Sequence, residues 1–199
     1  MKILNLTSKS SVYTCNAYLV TGDFNSIGDV NTLIDTGRDP QIMEKILNAS
    51  TGVGKKRIEQ VIFTHSHYDH AGLIKEMKES FNPKFYAFSN SLEGIDVVLK
   101  GGEHIKIGDR FFDIIYTPGH SNDSICLYNR EENVLFSGDT NFSIYSTDGT
   151  YEKNFVDILK KIVNMNVKKI YPGHGNAIIK DCNEIIKMSL KNVLQSKIL

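Results

Sequence analysis

The chain consists of short apolar runs. Between and after them lie stretches in which apolar residues have helical spacing. The strand-like runs dominate its first two-thirds and read KILNL, VYTCNAYLV, NTLID, IEQVIFT, KFYAF, FFDIIYT, SICLY and NVLFS. Runs that are rich in β-branched and aromatic residues and bounded by turn residues are typical of strands. Apolar residues at helical spacing predict helices near residues 42–47 and 155–163, and a last helix from about Asp181. The alternation predicts an α/β protein.

Glycine-containing turns interrupt the runs, but no linker, low-complexity tract or block of like charges divides the chain. Its 199 residues are enough for one substantial core and few for two. We therefore predict a single domain over residues 1–199.

Four of the apolar runs end in a polar, glycine-containing turn that carries histidine or aspartate. They are VIFTHSHYDHAG, FDIIYTPGHS, NVLFSGDT and KKIYPGHG. Strand ends in layered α/β folds converge on one rim, where loops on a rigid scaffold build sites. We expect these turns to meet there and to bring together His65, His67, Asp69, His70, His120, Asp139 and His174.

Composition narrows the partners that we expect. Lysine plus arginine (23) equals aspartate plus glutamate (23), so the formal net charge is zero. This balance gives no electrostatic reason to expect nucleic acid or an anionic membrane as the main partner. We expect a small-molecule substrate, and the oligomeric state stays open.

Two further features favour a cytoplasmic protein. The N-terminus lacks the apolar region of a secretory signal, and no run approaches the roughly 18 apolar residues that span a bilayer. Cys15, Cys126 and Cys182 are widely spaced and odd in number, which does not suit a disulfide framework or a CxxC metal site. We expect reduced residues, with a reactive thiol as the alternative.

The segment THSHYDH has the composition of a metal site. His65 and His67 are two residues apart, so in an extended or turned segment after a strand both can face one ion. Zinc takes imidazole nitrogen and carboxylate oxygen at about 2.0–2.2 Å. Seven candidate ligands are too many for one tetrahedral ion but suit two ions that share a bridge. The isolated His104, in GGEHIKIGD, is expected to be a surface or hairpin residue.

In this order, THSHYDH, TPGHS, LFSGDT and YPGHG resemble the metallo-β-lactamase superfamily, and LIDTG (33–37) is similar to an early strand of that family. The resemblance runs from about residue 3 to residue 180. It implies a four-layered αββα sandwich, in which two mixed β-sheets lie face to face between helices. The metals would lie at one edge of the sandwich.

The resemblance also implies the ligand sets. One metal would be held by His65, His67 and His120, and a second by Asp69, His70 and His174, with Asp139 as the bridge. Asp35 resembles the family's buried aspartate that orients the ligand loop, the alternative being a turn-capping residue. The cofactors would be two divalent metal ions, zinc foremost, with iron or manganese as alternatives.

The implied activity is hydrolysis. A hydroxide between the metals would attack an ester, thioester or lactone carbonyl, and Asp69 would accept the proton of the attacking water. An aspartate at position 139 and the TPGHS segment make the pattern most similar to glyoxalase II-like members, whereas β-lactamases of the superfamily often carry cysteine there. The chain after His174 has room for roughly one helix, so we do not expect the family's helical glutathione-binding domain.

Two other functions stay open: a mononuclear iron oxidoreductase similar to persulfide dioxygenases, and a non-catalytic metal-binding protein. The aromatic residues near the metal motif are the candidates for contacting substrate. Tyr145, in the loop after Asp139, could donate a hydrogen bond to an oxyanion. The alternative is that Tyr145 only packs against neighbouring side chains, and we expect this more strongly for Tyr151.

Overall fold

Two β-sheets lie face to face at the centre of the molecule. The structure, a computed structural model, describes residues 1–199. The strands are β1 (Lys2–Asn5), β2 (Tyr18–Thr21), β3 (Thr32–Ile34), β4 (Gln60–Ile62), β5 (Lys84–Ala87), β6 (Val97–Val98), β7 (His104–Ile107), β8 (Arg110–Tyr116), β9 (Ile125–Asn129), β10 (Val134–Gly138), β11 (Thr150–Tyr151), β12 (Lys169–Pro172) and β13 (Lys197–Ile198). The helices are α1 (Ile42–Asn48), α2 (Tyr68–Ala71), α3 (Ile74–Phe81), α4 (Lys153–Val163) and α5 (Cys182–Gln195).

Both large sheets are mixed. The first has the order β1-β2-β3-β4-β5-β6, antiparallel from β1 to β3 and parallel from β3 to β6. The second has the order β12-β10-β9-β8-β7, with only the β10–β12 pair parallel. Strands β3 and β4 therefore end at one edge of the first sheet, and β8, β10 and β12 all end at one edge of the second. The short pair β11–β13 forms a separate two-stranded sheet.

Side chains alternate between two cores along the strands. In β4, Val61 packs in the cluster that contains helix residues Ile46 and Met77, whereas Ile62 packs in the cluster that contains Phe112 and Leu127 of the second sheet. Neighbouring residues of a strand point to opposite faces, so one face meets helices and the other meets the second sheet.

The outer face of the second sheet is covered in the same way. Leu135 of β10 packs with Leu159 of α4 and Ile186 of α5. The layers are thus helix, sheet, sheet and helix, which confirms the αββα sandwich that the sequence resemblance implied.

The three predicted helices are present as α1, α4 and α5, while α2 and α3 were not predicted. None of the five helices combines the length and apolar character needed to span a bilayer. His104 lies in the β7–β8 hairpin and pairs with Asp113 at 2.6 Å between Nδ1 and Oδ1, in agreement with the prediction.

The run VYTCNAYLV contributes a shorter strand than expected, because only its last three residues lie in β2. The backbone N–H of Cys15 donates to the carbonyl of Asp69 (3.2 Å), and that of Asn16 donates to the carbonyl of Gly173 (2.6 Å). The first half of the run therefore fastens two of the histidine-bearing loops instead of extending the sheet.

All three cysteines are free and buried. Burial raises the pKa of the Cys15 thiol to about 12 and that of Cys126 to about 11, so both thiols stay protonated at neutral pH.

Candidate metal centre

The histidine- and aspartate-bearing loops meet where β4, β8, β10 and β12 end. Each loop leaves the end of a strand and turns at the rim between the two sheets. The structure brings together all seven predicted ligands: His65, His67, Asp69 and His70 after β4, His120 after β8, Asp139 after β10 and His174 after β12.

Three imidazoles form the first group. The Nε2 atom of His65 lies 3.0 Å from Nδ1 of His67, and Nε2 of His120 lies 3.0 Å from the same Nδ1. His65 is buried, while His67 and His120 are on the solvent side. Three ring nitrogens thus face one point that is open to solvent on one side.

A second group lies beside the first. Nε2 of His174 is 3.1 Å from Oδ2 of Asp69. The ligand atoms of Asp69, His70 and His174 all lie within 4.8 Å of one another.

The Asp139 carboxylate lies between the two groups. Its Oδ2 atom is 3.3 Å from Nε2 of His120 and 3.9 Å from Nε2 of His65 in the first group, and 3.6 Å from Nε2 of His174 in the second. Its Oδ1 atom is 3.3 Å from Nε2 of His70. One carboxylate therefore faces ligand atoms of both groups.

The chemistry of the donor set fits a metal site. Nε2 of His70 and Oδ1 of Asp139 are both buried, and neither has an aligned hydrogen-bond partner. These two atoms face each other at 3.3 Å, and imidazole nitrogen and carboxylate oxygen are donors that zinc takes. Ligand atoms on a tetrahedral zinc ion are about 3.3 Å apart, since each bond is about 2.0–2.1 Å. The separations of 3.0–3.3 Å between neighbouring ligand atoms match this spacing.

The protonation states of two ligands also suit a metal. Burial lowers the pKa of His65 to about 4, so its imidazole is neutral at pH 7. Burial alone would raise the pKa of Asp139, but the facing His70 and the other imidazoles hold it at about 2. Metals bind neutral imidazole and ionised carboxylate, and both forms are present here.

His70 behaves differently because it lies between two carboxylates. Burial opposes its charged form, yet Asp35 on one side and Asp139 on the other raise its pKa well above the ordinary value for histidine. Without metal, His70 therefore holds a proton on each nitrogen. Metal binding at Nε2 would release one of them.

Asp35 supports the loop that carries His65 to His70 through hydrogen bonds on the side away from the proposed metal site. It is buried, adopts a left-handed backbone conformation (φ 56°) and accepts three hydrogen bonds. The donors are the backbone N–H of Thr64 (2.7 Å), its hydroxyl (2.7 Å) and Nδ1 of His70 (2.8 Å). These partners lie some thirty residues away, as expected for a residue that orients ligands and not for a local turn cap. With its Nδ1 proton on Asp35, His70 presents Nε2 to the site.

Gly173 allows the β12 loop to lie against the ligands. A Cβ atom at this position would overlap Oδ1 of Asp139 and come within 2.7 Å of Cε1 of His70. We expect Gly173→Ala to displace both ligands and to weaken metal binding by about 10- to 100-fold, as loss of a supporting contact typically does. Metal titration by calorimetry measures the change. Gly28→Ala is the matched control, because its Cβ would meet nothing within 4 Å; equal metal affinity in the two variants would contradict the packing role.

A cavity of about 400 Å³ opens beside the metal ligands. It is lined by His120 and Asp139 and by the apolar side chains of Ile144, Tyr151 and Phe155, among others. Tyr151 stacks on Phe155 with ring centroids 5.6 Å apart. The tyrosine that we expected only to pack thus lines the space next to the metals.

Tyr145 lies at the surface of the loop after Asp139, and its role as an oxyanion donor stays a prediction. Its side chain is 67% exposed, and it does not line the cavities that contact the ligands. The sequence reasoning missed Tyr13, whose ring stacks on His174 with centroids 5.4 Å apart. Because Tyr13 lies in an irregular loop far from His174 in sequence, no local pattern could indicate this contact.

The αββα sandwich and the rim of histidine and aspartate side chains between its two sheets define a class of proteins with a candidate metal site at one edge of the sandwich. The chain belongs to the metallo-β-lactamase superfamily, whose family model matches residues 11–95 and 89–174.

Three similar proteins illustrate the relationship. A hydroxyacylglutathione hydrolase of Francisella tularensis subsp. novicida is 33% identical over 127 residues, covering 60% of this chain and 50% of the relative. An atrochrysone carboxyl ACP thioesterase of Aspergillus fumigatus is 26% identical over 174 residues, covering 82% and 52%. The structure of ETHE1 from Myxococcus xanthus superposes with a TM-score of 0.69 at 20% identity, covering 96% of this chain and 88% of the other, which shows the shared fold. The chain spans about half the length of the two sequence relatives.

Proposed function

We propose that this protein is a binuclear metal-dependent hydrolase, glyoxalase II-like, that cleaves the carbonyl of a small ester, thioester or lactone. The observation that carries the proposal is the position of Asp139, whose two oxygens face imidazoles of both ligand groups at 3.3–3.9 Å. The names of the two sequence relatives, a hydroxyacylglutathione hydrolase and an atrochrysone carboxyl ACP thioesterase, support the choice of a carbonyl substrate.

The metal ions, Asp69 and the neighbouring cavity have separate roles in the proposed reaction. Two divalent ions bound here would polarise the substrate carbonyl and lower the pKa of a bound water from 15.7 toward about 7. The Asp69 carboxylate lies in the second group with its Oδ2 atom 3.1 Å from Nε2 of His174, and in this proposal it accepts the proton of the attacking water. The cavity beside His120 and Asp139 receives the acyl group against Tyr151 and Phe155.

Zinc is the metal that we propose, because imidazoles with two carboxylates suit it, and iron and manganese are the alternatives. The compartment that we propose is the cytoplasm, where three free cysteines stay reduced.

Metal quantification on protein from unsupplemented cells tests this function, followed by a panel of esters, thioesters, lactones and phosphodiesters on the same sample. The expected result is two metal ions per chain and turnover of a carbonyl substrate. One iron per chain with oxygen consumption would favour a persulfide dioxygenase-like oxidoreductase instead. Full metal loading without turnover of any substrate would favour a non-catalytic metal protein.

The two candidate tyrosines can be separated by matched substitutions. Tyr151→Phe and Tyr145→Phe each remove one hydroxyl. If Tyr151 contacts substrate, Tyr151→Phe raises KM or lowers kcat by about tenfold, because one hydrogen bond to a charged group is lost. Tyr145→Phe then changes neither KM nor kcat. A loss of activity in Tyr145→Phe but not in Tyr151→Phe would support Tyr145 as the oxyanion donor that the sequence suggested.

A further inference from the structure

His174 has little support from its own loop. It lies between Gly173 and Gly175, and Gly175 has a positive φ of 81°. Glycine restricts the backbone less than any other residue, so the backbone on both sides of His174 is free to move unless other parts of the chain hold it. The position of this candidate ligand therefore depends on contacts from outside the loop.

The His174 ring also lacks the hydrogen bond that usually fixes a metal ligand. A histidine that binds a metal through one nitrogen normally donates from the other to a carboxylate or a carbonyl, as Nδ1 of His70 donates to Asp35 at 2.8 Å. The polar contacts of the His174 ring run through Nε2 alone, at 3.1 Å from Oδ2 of Asp69 and 3.6 Å from Oδ2 of Asp139. Because Nδ1 of His174 makes no hydrogen bond within the protein, another contact has to set the rotation of the ring.

The segment before β2 holds the backbone on both sides of His174. Nδ2 of Asn16 donates to the carbonyl of Pro172 (2.9 Å) and to that of Gly175 (2.8 Å). The hydroxyl of Tyr18 donates to the same carbonyl of Pro172 at 2.8 Å. These bonds fix the ends of the β12 loop, but they leave the imidazole free to rotate about its side-chain bonds.

The ring of Tyr13, in the same segment, covers the His174 imidazole. The two rings are stacked, with centroids 5.4 Å apart and an angle of 16° between their planes. Tyr13 is 70% exposed, so packing in a hydrophobic core does not account for its position. The next residue, Thr14, accepts from the backbone N–H of Arg38 at 2.9 Å, which anchors the loop. An exposed aromatic ring is thus held over a candidate ligand by an anchored loop.

We infer that Tyr13 is a positioning residue for the second metal ion, the one that Asp69, His70 and His174 would hold. Its ring takes the place of the missing hydrogen bond and keeps the His174 imidazole in the rotation in which Nε2 faces the carboxylates. Stacking limits this rotation because turning the imidazole would break the contact between the two ring faces. This role rests on the two-metal site of the proposed function, and it assigns part of the second ion's affinity to a residue outside the ligand set.

Zinc titration of the metal-free full chain by calorimetry, on wild type, Tyr13→Ala and Tyr13→Phe, tests this role. Tyr13→Ala is expected to weaken binding of the second ion by about tenfold and to leave the first ion unchanged. Tyr13→Phe keeps the ring and removes only the hydroxyl, so it should bind both ions as wild type does. Tyr145→Ala is the matched control, since it removes a tyrosine ring of similar exposure that stacks on no ligand, and it should also bind both ions as wild type does.

Three results would overturn the inference. The first is equal affinity for the second ion in Tyr13→Ala and wild type. The second is an equal loss in Tyr13→Ala and Tyr13→Phe, which would assign the effect to the hydroxyl. The third is a lowered melting temperature of metal-free Tyr13→Ala with equal weakening of both ions, which would show that the side chain stabilises the fold and does not position His174.

The same titration separates this role from the proposed activity. Wild-type protein that binds two ions but hydrolyses no substrate would contradict the hydrolase and would leave the comparison of affinities valid. Wild-type protein that binds only one ion would contradict both the two-metal site and the role of Tyr13.

Discussion

Asp139→Ala is expected to reduce the metal content to one ion per chain or fewer and to lower kcat/KM by on the order of 10³-fold, about 4 kcal/mol of transition-state stabilisation. The reason is that Asp139 is the one carboxylate whose oxygens face both ligand groups. Its removal also leaves the buried Nε2 of His70 without an anionic neighbour. Metal analysis and steady-state kinetics on the same preparation measure both effects.

The control for this prediction is Asp157→Ala, which removes an exposed aspartate from α4. It should retain both metals and full activity. Wild-type activity in Asp139→Ala with a single metal per chain would show that the bridge is not required, and would exclude the binuclear mechanism.

Asp35→Asn should lower metal affinity by about 10- to 100-fold although Asp35 is not a predicted ligand. Three donors converge on its carboxylate, from the backbone and hydroxyl of Thr64 and from Nδ1 of His70. A carboxamide of the same shape has only one oxygen to accept them. At least one buried donor is then unpaired, which costs about 1–3 kcal/mol, and His70 no longer has a fixed tautomer.

The same variant has a pH signature in metal-free protein. The pKa of His70 is raised in the folded state, so its contribution to stability is complete below the unfolded value of about 6.5 and is lost as pH rises through the folded pKa. Wild-type protein without metal should therefore lose free energy of unfolding as pH rises above about 6.5. Asp35→Asn removes one of the two charges that raise this pKa, so the decline of its stability should end at a lower pH than in wild type. A decline that ends at the same pH in both proteins, measured by urea titrations across a pH series, would mean that Asp35 does not act through His70.

Much of this site could be predicted because its signals are local. THSHYDH places four candidate ligands in one loop, and the apolar runs before His120, Asp139 and His174 indicate strands that end at a rim. The αββα layering followed from the family resemblance and not from periodicity, which cannot assign a strand to a sheet. Helix α3 was missed even though Ile74, Met77 and Phe81 have helical spacing.

The features that were missed depend on contacts between distant parts of the chain. Tyr13 reaches His174 only because the loop before β2 is fastened to Asp69 and Gly173. Strands β11 and β13 have two residues each and pair across the length of α4, β12 and α5. Their pairing brings Leu199 to the wall of the cavity beside Tyr151. Segments this short carry no periodic signal of their own.

The ligands come from both halves of the sandwich: four follow a strand of the first sheet, and three follow strands of the second. Neither half can offer a complete set by itself. In the proposed metal centre, a complete site therefore forms only after the two sheets have docked, and bound metal is expected to slow their separation. A chelator would then shorten the lifetime of the folded protein as well as stop catalysis. Metal-free molecules are expected to unfold, and therefore to be cleaved by proteases, faster than metal-loaded molecules.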